Sequence, residues 1–137
     1  MRSSRIVLGL VLVAHGIGHV LGLLAPWLGD ADWNLGSWLL PDATPEWVGM
    51  IGFGVAAVLF IAAGLAAVGL IVPERNLRWS AEVAAVISIL ALVIWWDAFP
   101  SVSSKVAALA IDAVVLVAAM PERKAQRPAR SVGPVSA

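Results

Sequence analysis

The strongest constraint in this sequence is a set of long apolar runs that carry almost no charge. Ile6 to Ala25 contains no Asp, Glu, Lys or Arg, and neither does Val48 to Val72. A helix rises about 1.5 Å per residue, so roughly 20 residues cross the hydrocarbon core of a bilayer, about 30 Å thick. Two further runs, at about 79–98 and 102–120, are nearly as apolar. The first carries Glu82 and Asp97, the second Lys105 and Asp112. Inside lipid, every backbone polar group must find its partner within the chain, which leaves helices or closed barrels. These runs are too long for barrel strands and do not alternate with a period of two. The expected fold is therefore all-α, an integral membrane four-helix bundle with spans at about 6–25, 45–72, 79–98 and 102–120.

Composition supports the same conclusion. Hydrophobic residues make up 61% of the chain and charged residues 13%, against about 45–50% and about 25% in ordinary soluble domains. Mean hydropathy is +0.92. Nine basic and nine acidic residues cannot cover the surface of so small a monomer in water. The length of 137 residues suits one domain, read as 1–120, followed by a disordered basic tail at 121–137. The absence of cysteine excludes disulfides, thiolate metal sites and thiol redox chemistry in this chain. There is no P-loop, no GxGxxG after a strand and no G-x-S-x-G. Nothing in the balanced charge suggests nucleic acid as a partner.

The element boundaries have local causes. Arg2 and Arg5 precede the first run as in a signal peptide, but no small-x-small cleavage pattern closes it, so it reads as a retained span. Thr44 can cap the second helix, Pro45 suits its first position, and Glu46 favours the positive end of its dipole. That run continues to Val72 before Pro73. It is longer than a bilayer requires, which predicts a tilted or projecting helix. Serines 101, 103 and 104 are expected to cap the fourth.

Charge sets the expected topology. Arg2, Arg5, Arg75, Arg78, Arg123, Lys124, Arg127 and Arg130 all fall on one side of four spans, and only Lys105 on the other. The positive-inside rule then places both termini in the cytoplasm of a prokaryotic-type plasma membrane. The first loop, with Asp30, Asp32 and Asp42, lies outside. Trp27, Trp33, Trp38, Trp47, Trp95 and Trp96 map to the outer boundary and Trp79 to the inner one, the headgroup level that indoles prefer. The stretch Trp33–Leu40 is expected to lie in that interface as a short helix, an indole-anchored loop, or a lid.

The candidate chemistry sits in the first span. His15 and His19, the only histidines, stack one turn apart on one helix face. Ala14, Gly18 and Gly22 form a small-xxx-small ridge beside them, expected to let a neighbouring helix approach. Asp112 lies at a similar depth in the fourth span and is the expected partner of His15. An unpaired charge at that depth costs about 2.5–3.5 kcal/mol. Glu82 is a further candidate, or pairs with Arg5 or Arg78; Asp97 is hydrated or meets Lys105. Three readings of His15, His19, Asp112 and Glu82 compete. They are a structural polar network, a pocket for a quinone, lipid or proton, and a metal or haem site. The last has the weakest geometry. His15 and His19 can share one zinc, but HxxxH lacks the glutamate of HExxH and needs Asp112 or Glu82 as a third ligand.

The stretch Arg5–Gly22, with Gly9 and His15-Gly16, resembles the first helix of the DoxX-like membrane proteins. Arg5, Gly9, His15, Gly16 and Gly22 match its pattern, and His19 stands where that family usually has lysine. Gly64 to Gly69 fits its glycine-rich second helix loosely. The resemblance implies a four-helix membrane protein that serves as an accessory or anchor subunit of a quinone-linked redox system. A quinone would be the cofactor and a redox protein the partner, with no catalysis by this chain itself. The alternatives are a small proton-coupled carrier or lipid- or quinone-binding protein using the His/Asp cluster, and a homo-oligomeric scaffold.

Overall fold

The computed structural model describes residues 2–24, 37–40, 46–99 and 101–119. It is all-helical. Four helices follow one another as α1 (Arg2–Leu24), α2 (Glu46–Ala67), α3 (Leu77–Ile94) and α4 (Val102–Ala119). Short 3-10 turns at Glu74–Asn76 and Trp96–Ala98 lead into α3 and out of it. Among the described residues, three helices are long and apolar enough to cross a membrane, over Ser3–Leu21, Glu46–Ala67 and Leu77–Ile94. The expected tail at 121–137 and most of the first loop, including Trp27, Trp33, Thr44 and Pro45, lie outside the described residues.

The packing order is α1 on α2, α2 on α3 and α3 on α4, while α1 and α4 scarcely touch. Glycine brings α1 and α2 together. A Cβ on Gly9 would sit 2.9 Å from the Gly64 carbonyl oxygen, one on Gly64 2.7 Å from the Gly9 carbonyl, and one on Gly16 2.9 Å from the Ala57 carbonyl. The two backbones are therefore in direct contact, as small residues permit. This corrects the ridge expected from Ala14, Gly18 and Gly22. Ala14 is exposed, and nothing lies within 4 Å of a Cβ built on Gly18. The surroundings of Gly22 lie outside what is described. The glycines that pack are on the neighbouring face of the same helix.

Helix α3 meets α2 through another small-residue face, with Ser80, Ala81, Ala84, Ala85, Ser88 and Ala91 buried. Two apolar clusters result. One gathers Leu12, Phe60, Ala63, Ala84, Ala85 and Val115. The other gathers Phe53, Ala91, Leu92, Trp95 and Ala98. Apolar side chains also cover the outside: Val7, Leu10, Val58, Leu90, Val106, Val114 and Val117 are all exposed.

Helix α2 ends at Ala67, short of the Val72 expected from hydropathy. Gly69 adopts φ +73°, its N–H donates to the Ala66 carbonyl, and Leu70 N–H donates to the Leu65 carbonyl. These are the two bonds of a Schellman C-cap with glycine at the left-handed position. The apolar composition of Val68–Val72 conceals a turn. Trp95 is a second correction. It is buried in the core against Gly49, whose Cβ would meet the indole at 2.9 Å, and does not serve as an interface anchor. Trp38, Trp47 and Trp79 are exposed.

The described part of the first loop is tied to the end of α3. Ser37 Oγ donates to the Ile94 carbonyl at 2.8 Å, and the Trp38 indole N–H donates to the Val93 carbonyl. The last carbonyls of a helix have no partner within it, so these two side chains supply what α3 lacks. The start of α4 is capped as expected, with Ser104 N–H donating to Ser101 Oγ at 3.4 Å.

Gly64→Ala will push a methyl group into backbone and should cost about 1–3 kcal/mol, as overpacking does. Gly18→Ala meets no atom and should leave stability equal or raise it by up to about 1 kcal/mol through helix propensity. Thermal midpoints of the two variants in one detergent test this contrast; equal losses would contradict the packing described.

Candidate functional site

Between the two apolar clusters lies a polar group of four side chains from three helices. Asp112 on α4 is fully buried. His15 Nε2 donates to its Oδ1 at 2.9 Å. Ser88 Oγ on α3 donates to its Oδ2 at 2.6 Å. His19 Nε2 lies 2.9 Å from the same Ser88 Oγ. A serine has one hydroxyl hydrogen, and here it goes to the carboxylate. The Ser88 oxygen is therefore an acceptor, and His19 carries its proton on Nε2. Hydrogen bonds run from His19 to Ser88 to Asp112, with His15 joining from the other side.

The tautomer leaves His19 Nδ1 as an acceptor. It is the one sealed side-chain polar atom without a partner among the described residues. An unsatisfied buried polar atom costs about 1–3 kcal/mol. Aromatic rings hold the imidazoles in place. His19 lies parallel to Phe60 and nearly parallel to Phe53, with centroids 5.9 and 6.0 Å away. His15 meets Phe60 edge to face at 4.6 Å and His19 at 4.9 Å. Both phenylalanines come from α2, at positions one face of a helix brings together.

Because α1 and α4 barely meet, a cleft of about 440 Å³ opens between them, bordered by His15, His19, Gly18, Lys105 and Ile111 among others. That size falls within the range of about 300–1,000 Å³ for small-molecule sites, which combine apolar walls with a few polar groups. Lys105 lies at the end nearer the α4 N-terminus. It is 4% exposed, and its ammonium sits 4.8 Å from the centre of the Trp96 ring, a cation–π contact.

Of the residues singled out from sequence, the structure brings His15, His19 and Asp112 together. Glu82 stands apart, accepting from Arg78 Nε at 2.9 Å on the exposed first turns of α3. Asp97 is exposed and makes no ion pair with Lys105. The shared-metal arrangement is not formed, since His15 and His19 direct their Nε2 atoms to different partners. Among the described residues no group of three His, Cys, Asp or Glu is placed to hold a metal ion. Ser88 and Lys105 were not anticipated as members of the site. Ser88 had one available signal: it belongs to the small-residue face of α3.

Comparison with protein-family models, curated proteins and solved structures finds no match for this chain.

If the carboxylate and imidazole stabilise each other, replacing either alone strands its partner. His15→Ala and Asp112→Ala should each lower stability, and the double variant should cost less than the sum of the two by about 0.5–3 kcal/mol. A double-mutant cycle of unfolding in detergent measures this; additive losses would mean that the pair contributes nothing.

Proposed function

We propose that this chain is an integral membrane protein of four spans, with both termini cytoplasmic in a prokaryotic plasma membrane, and that its α1/α4 cleft binds a lipophilic small molecule of quinone or lipid size. The observation that carries the binding reading is the cleft itself. It is an apolar space of about 440 Å³ whose wall includes both histidines of the chain and a buried lysine. Lipid as solvent is supported by the apolar side chains on the outside of the bundle and by three helices of sufficient length and hydropathy. A water-exposed surface of that kind would aggregate.

The polar group serves this role by holding the back wall in one arrangement. Asp112 is satisfied by His15 and Ser88, so no unpaired carboxylate faces an incoming apolar molecule. The similarity of α1 to DoxX-like proteins supplies a setting: an accessory subunit beside a redox protein, with a quinone as the molecule exchanged. Proton-coupled transport is favoured by one separate observation, the continuous run of hydrogen bonds from His19 through Ser88 to Asp112 and His15. Hydroxyl and imidazole groups in such a run can pass a proton by exchanging donor and acceptor roles.

Two measurements test the reading. The chain has no cysteine, so single cysteines report location without a background. Ser3→Cys should react with an impermeant maleimide only after cells are opened, and Asp42→Cys in intact cells; the reverse pattern would overturn the topology. Gly18→Leu projects a side chain into the cleft. Mass spectrometry of protein purified in mild detergent should find a copurifying lipophilic molecule in the native chain and a several-fold loss in this variant at an unchanged thermal midpoint. Equal content in both would refute the cleft as the binding site.

A further inference from the structure

Lys105 is the least explained charge in the bundle. A lysine near a helix end within a membrane ordinarily extends its stem and leaves its ammonium in the headgroup region. Here the side chain is 4% exposed. That side chain forms no hydrogen bond or ion pair with any described residue, and among the described residues its polar compensation is the face of Trp96 at 4.8 Å. Three carboxylates of the described residues do not serve it. Asp112 is committed to His15 and Ser88, Glu82 to Arg78, and Asp97 faces outward. His19 Nδ1 is the one sealed and unpartnered side-chain atom among the described residues, so the Lys105 ammonium is not completely sealed, and Lys105 lines the cleft.

At this end of the cleft the feature that favours negative charge is the Lys105 ammonium itself. Lys105 and Ser104 lie in the first turn of α4, an 18-residue helix, whose dipole adds to the pull on an anion, while the backbone N–H groups of both residues are already bonded to Ser101. From there the cleft runs along largely apolar walls that include Val11, Ala14, Gly18, Ala108 and Ile111, with His15 and His19 also lining it. A cation at one end and a hydrocarbon-lined channel beyond it match one kind of molecule. Building on the binding reading above, we propose that the cleft takes a single-chain amphiphile with an anionic head, a carboxylate or a phosphate. The head rests on Lys105 and Ser104, and the chain lies between α1 and α4. Lys105 is then a specificity-determining residue: it selects the charged head, while the apolar walls bind the chain.

Bromopalmitate and its methyl ester differ in the charge of the head and by one methyl group, and bromine quenches indole emission on contact, with Trp96 beside the Lys105 ammonium. Titrations of the full chain in a non-ionic detergent, at a pH where the free acid is ionised, compare the two. The acid should bind about tenfold more tightly than the ester, a difference of about 1.4 kcal/mol. Lys105→Gln should abolish that preference while leaving ester binding intact, and Lys105→Arg should retain it. Displacement of the acid by lysophosphatidate shows that a phosphate head is also accepted, and failure to displace it restricts the head to a carboxylate; both results support an anionic head. Equal binding of acid and ester to the native chain, or displacement of the acid by decylubiquinone with the same potency in native and Lys105→Gln proteins, would overturn the proposal. So would full displacement by acetate or inorganic phosphate alone, since a chain would then be unnecessary. The underlying cleft reading fails in a different way: quenching by acid and ester alike would be unaffected by Gly18→Leu.

Discussion

The bundle depends on one buried carboxylate being fully satisfied. Asp112 has no exposed surface, and a lone charge in such a place would be expelled or would pull α4 out of register. Its two oxygens take one donor from α1 and one from α3. Those bonds join three helices at one depth, between an apolar cluster centred on Phe60 and another centred on Phe53. Apolar packing alone is nearly indifferent to small rotations and sliding of one helix on another. A directional network of this kind is not, so it specifies which faces meet.

Much of this was legible in the sequence, for identifiable reasons. Long uncharged runs leave few solutions for the backbone, so the four helices and their order followed directly. His15 and Asp112 could be matched because each is a titratable residue near the middle of an apolar helix. Ser88 was not legible as a member, since serine in an apolar helix is inexpensive and carries no mark of its role. The position of Lys105 was visible but its burial was not, because burial depends on how Trp96 folds back over it.

The errors also have physical causes. Helix α1 carries two stripes of small residues on adjacent faces, Gly9–Gly16 and Ala14–Gly18–Gly22, and one helix alone does not reveal which stripe a neighbour uses. The answer lay in the complementary glycine of α2, Gly64. Hydropathy extended α2 to Val72 because the turn residues after Ala67 are themselves apolar. Gly69 was the signal for the end, and an apolar context obscured it. Trp95 was assigned to the headgroup level by depth alone, whereas Gly49 opposite it leaves an opening of indole size in the core.

The unequal seams of the bundle have a dynamic consequence. Where α1 and α2 meet, carbonyls press on glycine Cα atoms and there is no slack to take up. Where α1 and α4 meet, a single bond from His15 spans an otherwise loose boundary. Fluctuations should therefore concentrate in α4, which can swing like a gate leaf hung from α3 and latched to α1 at one point. Amide deuteration would then begin in α4 and reach the α1–α2 seam last, and the frequency of unlatching would set how often the space behind it opens.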